Sequence, residues 1–185
     1  MSTSLPLDEE LAKAVTHSAT QVFEKALNLT VTAQDWSLIE APLRGDYSGF
    51  VYLVDLKEKK HVATMGVAFM DPVIRHILKA MYGDILNQPG SDATDMLKDG
   101  ISEIANIIYT GVKAKLNEQG HSFILSLPVI IEGKEHIIRK SSGSKSLRIP
   151  FVTSDYEFFI DASIDVEKDE VSPERWKEMM RQNLN

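Results

Sequence analysis

The chain of 185 residues contains no cysteine. Disulfide scaffolds, zinc–thiolate centres, iron–sulfur clusters and cysteine nucleophiles are excluded together. Positive charge is also scarce: 20 Lys and Arg face 27 Asp and Glu, leaving a net charge of −7. Nucleic-acid binders usually carry a basic surplus to meet phosphates, so no nucleic-acid partner is expected. Long apolar runs are missing too. The most apolar stretch, 123–131, has nine residues, against the ~20 a helix needs to cross a bilayer, so membrane insertion is not expected. The opening residues show neither a basic n-region nor an apolar h-region, and the expected compartment is the cytoplasm. Five histidines (His17, His61, His76, His121 and His136) are scattered. No two have helical ligand spacing and no Ser–His–Asp set can be drawn, so no metal or cofactor of the chain's own is read from them.

What is present is ordinary globular composition, with 43% hydrophobic and 25% charged residues. The length fits one domain, or two small ones fused tightly. Asp8 reads as the cap of a helix with Glu9 and Glu10 in its first turn, where the helix dipole favours acids. Apolar residues from Leu11 to Leu27 then recur at helical spacing. Residues 36–43, 50–56 and 62–69 read as strands, the last two joined by a charged tip at 57–60. Asp71 and Pro72 supply N-cap and first-turn chemistry for a second helix ending near Gly83. Residues 87–93 form a loop.

The second half repeats that plan. A long helix is predicted over 94–118, closed by Gly120, followed by strands over 122–132, 147–153 and 156–166. Ser172 and Pro173 begin a last helix, on which Trp176, Met179 and Met180 belong to the core or to a dimer seam. The expectation is one α/β (α+β) domain over 1–185 with half-repeats at about 8–86 and 94–184, long helices packing on a sheet. Residues 134–148 are locally basic and read as a solvated hairpin loop with a charged edge, or as a dock for an acidic surface. The 141–146 serine run reads as a flexible turn, because it lacks P-loop spacing and opens no helix.

The helix over 94–118 is the informative segment. At about 100° per residue, Leu97, Ile101, Ile104, Ala105, Ile108, Val112, Lys115 and Leu116 share one stripe, expected to face the core. Glu103 and Asn106 fall one turn apart on the opposite side, near enough to act on one small group. Asp99 and Thr110 share that side, and Ile107 is an apolar residue beside the pair. A carboxamide on a rigid helix can donate to and accept from one water and hold it in line with an electrophilic phosphorus. A neighbouring carboxylate can meet a cation on a partner.

The segment from Asp99 to Lys113 resembles the E-x-x-N helix of the CheX group, which belongs with CheC and FliY in a family of chemotaxis phosphatases. The apolar–Ser–apolar–Pro pattern at 123–131 resembles that family's next strand, and 147–153 with 158–164 resemble its final hairpin. The resemblance implies an α/β CheC/CheX-like domain with pseudo-two-fold symmetry. It implies an enzyme that hydrolyses the aspartyl-phosphate of a CheY-type receiver domain. Glu103 would pair with the receiver's active-site lysine and Asn106 would orient the attacking water. Asp99, Ser102, Ile107 and Thr110 would be the surrounding partner-binding positions. Magnesium would come with the receiver, and the chain would form a homodimer. A second E-x-x-N occurs on the first helix of some members. Setting Ala19 against Ala105 puts His17 and Thr20 at those places, which implies one site per chain. Ser102 stands where members often carry Gly. Thr110 stands where a small residue usually follows, with Gly111 one later. The alternative is a non-catalytic receiver-binding or flagellar-switch module of the same fold; a third reading is a binder of a small ligand in which the motif is coincidental.

Overall fold

The computed structural model describes residues 7–57, 59–84, 93–138, 145–164 and 171–183. In chain order the elements are α1 (Leu7–Gln21), a π-helical turn (Val22–Ala26), β1 (Thr32–Ala33), β2 (Ser37–Ile39), β3 (Leu43–Asp55), β4 (Lys60–Phe69) and α2 (Asp71–Tyr82). Then come α3 (Ala93–Glu118), β5 (Phe123–Leu125), β6 (Val129–Ile138), β7 (Lys145–Val152), β8 (Glu157–Ile164) and α4 (Pro173–Asn183). It is a mixed α/β fold: the described strands form one antiparallel sheet in the order β1-β7-β8-β4-β3-β5, with β2 on β7 and β6 on β3. Two hairpins, β3–β4 and β7–β8, meet at its centre, where Met65 lies opposite Ala162.

Side chains alternate across each strand. Val51 and Leu53 on β3, Met65 and Val67 on β4, and Ile149 and Ile160 on β7 and β8 all point to one face. There α1 and α3 cover them with Leu11, Val15, Ile101, Ile104 and Ile108, all essentially inaccessible. A smaller cluster on the other face joins Val54, Ile124 and Val171, with Trp176 and Met180 of α4 packed against it. The Ser172 hydroxyl accepts the Arg175 N–H at the start of α4, a side-chain cap. So the last helix packs on β5 and the outer face, whereas α2 packs on α3.

Several local expectations are corrected. Asp8 lies inside the first turn of α1, which already begins at Leu7. Met70 is the N-cap of α2, and Asp71 is its first residue, bonded to Arg75 at 2.8 Å. Residues 36–43 are not one strand: β2 ends at Ile39 and β3 begins at Leu43, after Pro42, which has no N–H to give a ladder. Residues 122–132 are likewise broken, at 126–128, next to Pro128. The Ser126 hydroxyl accepts the Tyr52 N–H there at 2.9 Å. β5 then pairs with the end of β3 and β6 with its beginning, and β6 continues to Ile138. Residues 139–144, which include most of the serine run, residues 87–92 of the expected loop and the side chain of Met179 lie outside the described residues. The rest of the basic 134–148 segment is strand rather than loop, in β6 and β7. Arg148, the basic residue on β7, is held by Asp161 through two contacts of 2.8 Å.

Candidate functional site on helix α3

α3 runs 26 residues, Ala93–Glu118, and is held from three sides. The sheet grips it through Tyr109, whose buried hydroxyl donates to the Gly49 carbonyl at 2.8 Å. Burial pushes that phenol well above its ordinary pKa, so it remains a donor. Gly49 leaves room for the helix: a Cβ there would lie 3.1 Å from the Ala105 Cβ. α2 grips it at Gly100, where a Cβ would lie 2.6 Å from both methyls of Leu78. α1 runs antiparallel beside it, with Glu10 bonded to His121 at 2.7 Å and Ser18 against Gly111. A Cβ at Gly111 would lie 2.9 Å from the Ser18 Oγ. Glycine inside a helix weakens it by about 1 kcal/mol relative to alanine. Gly100 and Gly111 therefore mark places where neighbouring helices approach too closely for a side chain.

These contacts leave one face of α3 to solvent. Asp99, Glu103, Asn106, Ile107 and Thr110 are all exposed, and Ser102 is half-buried. Every sequence-predicted site residue thus falls on or beside a single exposed strip. Ile107 is 42% exposed, an uncommon setting for an isoleucine flanked by the fully buried Ile104 and Ile108. Gly111, one position beyond Thr110, is the residue that meets α1. Thr110 itself points away, so a bulkier residue at that place displaces nothing on α1.

Three features of the site lay outside sequence reasoning. Tyr82, at the end of α2, stands by the acidic end of the strip. Burial first, and then the carboxylates of Glu103 and Asp99, raise its phenol above the ordinary value. Lys98, one turn before Ser102, ties the helix to β6 through Glu132 at 2.8 Å. The third is an open groove of about 330 Å³ between α1 and α3, lined by His17, Gln21, Lys25, Ile107 and Lys115 among others. Only the two interior glycines of α3 signal any of this in sequence, since they announce close helix packing.

Three of the scattered histidines serve local contacts: His76 packs against Tyr156, His121 bonds to Glu10, and His136 is tied to β3. The His136 Nδ1–H donates to the Gly133 carbonyl, so Nε2 accepts from the Ser48 hydroxyl at 2.8 Å. Ser48 is fully buried, which keeps this Ser–His pair from any substrate. Among the described residues no cluster of three or more His, Asp or Glu is arranged to hold a metal ion. No described helix is long and apolar enough to cross a membrane.

An exposed acid and amide one turn apart, on a helix fixed on three sides, can hold a small polar group between them without a pocket of their own. Comparisons with known proteins bear on what that group is. Residues 50–152 match the family of chemotaxis phosphatase CheX, a span that includes β4, α2, α3 and the Glu103–Asn106 turn. No curated protein matches the sequence. Among solved structures, the chain is similar to the chemotaxis protein CheX from Desulfovibrio desulfuricans. That likeness has 25% identity and a TM-score of 0.73 and covers 84% of this chain and 99% of that one. It is similar in fold to a CheC-like superfamily protein from Shewanella sp. PV-4 (22% identity, TM-score 0.73, 87% of this chain and 99% of that one). It is similar in fold also to a chain of the CheX–CheY–BeF3–Mg2+ complex from Borrelia burgdorferi, at 17% identity and TM-score 0.62, covering 84% and 96% of the two chains.

Proposed function

The chain belongs to the chemotaxis phosphatase CheX family, and on that premise we propose that it hydrolyses the aspartyl-phosphate of a CheY-type receiver domain. The observation that carries this reading is the placement of Glu103 and Asn106: both exposed, one turn apart, on a helix braced by Tyr109, Gly100 and Gly111. A protein whose reactive pair stands on a convex helix needs an electrophile that arrives in someone else's cleft. A phosphorylated receiver supplies one. That a relative of this fold occurs in a complex of CheX with CheY, BeF3 and Mg2+ is consistent with such a meeting.

In the proposed reaction the Asn106 carboxamide accepts one hydrogen of a water and donates to its oxygen. This fixes the oxygen in line with the phosphorus. The water oxygen forms the new P–O bond as the bond to the aspartyl carboxylate breaks. Inorganic phosphate and the free carboxylate leave, and the water's protons pass to the phosphate and solvent. Glu103 pairs with the receiver's lysine and sets the approach of the two proteins. Asp99, Ser102, Ile107 and Thr110 form the surrounding contact. Magnesium belongs to the receiver, where it offsets charge on the phosphoryl oxygens. Acyl phosphates hydrolyse unaided, so ordering one water is a sufficient task for two side chains.

The proposal includes a homodimer. Among the described residues β6 pairs with β3 on one side and leaves its other edge open; Val129 and Ile137 on it are exposed, as is Leu127 just before it. An open edge with apolar side chains is a template for pairing with a second copy.

The test is the decay of a phosphorylated CheY-type receiver from the same genome, with magnesium, with and without the protein. Acceleration that disappears in Asn106→Ala supports the reading. No acceleration of any receiver in the genome overturns it.

A further inference from the structure

We propose that the groove between α1 and α3 is a second contact with the receiver, built for carboxylates on the receiver surface beside its phosphorylation site. This rests on the receiver reading above and extends it to a face of the molecule that the E-x-x-N pair does not touch.

The charge on this side of the protein is divided. Asp99 and Glu103 stand towards the start of α3, with Asp95 one turn earlier. The groove, at the other end of the exposed strip, is lined by Lys25 and Lys115 together with His17, Gln21 and Ile107, and no carboxylate lines it, although Lys115 also meets the exposed Glu118 at 3.3 Å beyond the rim. In a chain with 27 acids and 20 bases, an acid-free groove beside an acidic strip is a polarity. A partner that offers a cation to Glu103 must offer the opposite sign to the groove if both ends are to match.

The wall of the groove has a second peculiarity. α1 passes into a π-helical turn over Val22–Ala26, and that turn carries Lys25. A π turn is rare and less well packed than an α turn, and such turns gather at functional places. Here it falls beside Ile107, so the irregular turn and the exposed isoleucine share one groove. Because α1 and α3 run antiparallel, Lys25 lies near the Asn106 end and Lys115 near the far end. A receiver seated on Glu103 and Asn106 would therefore run along the groove, with Ile107 as its apolar anchor and a lysine at each end.

The occupant is a folded receiver surface with two carboxylates spaced along it. The competing occupant is a second copy of this chain, offering its own acidic residues.

The experiment measures binding without turnover. A CheY-type receiver that this protein dephosphorylates is charged with beryllofluoride and magnesium, and its affinity is measured at low and high salt. The expected result for Lys25→Glu/Lys115→Glu is an affinity loss of about tenfold or more at low salt, with a flatter dependence on salt. Lys25→Gln/Lys115→Gln should fall between it and wild type. In turnover the loss should appear in KM, with kcat near wild type, because neither lysine reaches the water. Equal affinity of wild type and the double Glu variant, with the circular dichroism of both unchanged, overturns the inference while leaving the phosphatase standing. A double Glu variant that binds the receiver normally but no longer self-associates assigns the groove to a second copy and also overturns it. Failure of the wild-type chain to bind or dephosphorylate any receiver is the failure of the underlying reading instead.

Discussion

α1 and α3 lie side by side on the same face of the sheet, antiparallel, each pressing one stripe into the core, and they differ in what they show to solvent. Ala19 on α1 and Ala105 on α3 are both fully buried. One position beyond each, the helices part: Thr20 is half-buried beside Trp36 in a groove of its own, whereas Asn106 is exposed. Three positions before these stand His17 and Glu103. The buried positions are constrained by the neighbour they touch and so stay alike. The exposed ones are free of packing and so can carry chemistry on one helix and none on the other. The helices also differ in regularity. α3 stays α-helical for its whole length and is clamped by two interior glycines, while α1 gives way to a π turn after Gln21.

The largest effect should come from the exposed amide. On the proposed mechanism Asn106→Ala removes the group that orders the water, and it should lower stimulated dephosphorylation by about 100-fold or more. Its thermal unfolding should stay within about 0.5 kcal/mol of wild type, because the position packs against nothing. A variant equally active as wild type would end the distinction between the two helices as drawn.

Packing on α3 comes next. Gly100→Ala forces the buried Leu78 to move and should destabilise by about 1–3 kcal/mol, read from urea denaturation. Gly111→Ala meets the Ser18 side chain, which has less to displace, and should cost about 1 kcal/mol. If Gly111 proved the costlier, the grip of α2 on α3 would have to be weaker than that of α1.

Tyr109→Phe removes one buried hydrogen bond and leaves the ring in place, so its expected cost is about 1 kcal/mol. Turnover at saturating receiver should change little, because two other contacts still brace the helix. A collapse of turnover in a folded protein would mean that the sheet contact alone sets the position of Asn106.

The smallest expected effect is none. His17→Glu/Thr20→Asn, placed in an Asn106→Ala background, copies the motif onto α1. It should not restore activity, since Thr20 is half-buried and its neighbours differ. Restored turnover would show that the motif suffices without its setting.

The helices, the two hairpins and the polar strip were legible because each rests on local periodicity. Glu103 and Asn106 declared themselves as the polar side of an otherwise apolar helix, and the order of helix, strand and hairpin linked them to a family. The strand boundaries at 36–43 and 122–132 were misread. Both regions are apolar and β-branched enough to continue, and only the missing N–H of Pro42 and Pro128, together with the pairing of each piece to a different partner, breaks them. Tyr82 and Lys25 left no mark, because each comes to the site only when α2 and α1 pack beside α3. Lys115 was expected in the core stripe of α3, but its side chain is 42% exposed at the stripe's margin and lines the groove.

By itself the sequence determined which residues face the core and which face water, since hydrophobic burial follows the 3.6 and 2.0 periods wherever an element forms. It also placed an acid and an amide one turn apart on the side of α3 away from the core, because that placement follows from the helical period alone. Only the tertiary structure decided that the strip is rigid, through contacts of Gly100, Tyr109 and Gly111 with residues between 22 and 93 positions away. It also decided that a basic groove lies at the strip's end. Both depend on which helix packs beside which, and that is fixed by the joint burial of several elements against one sheet.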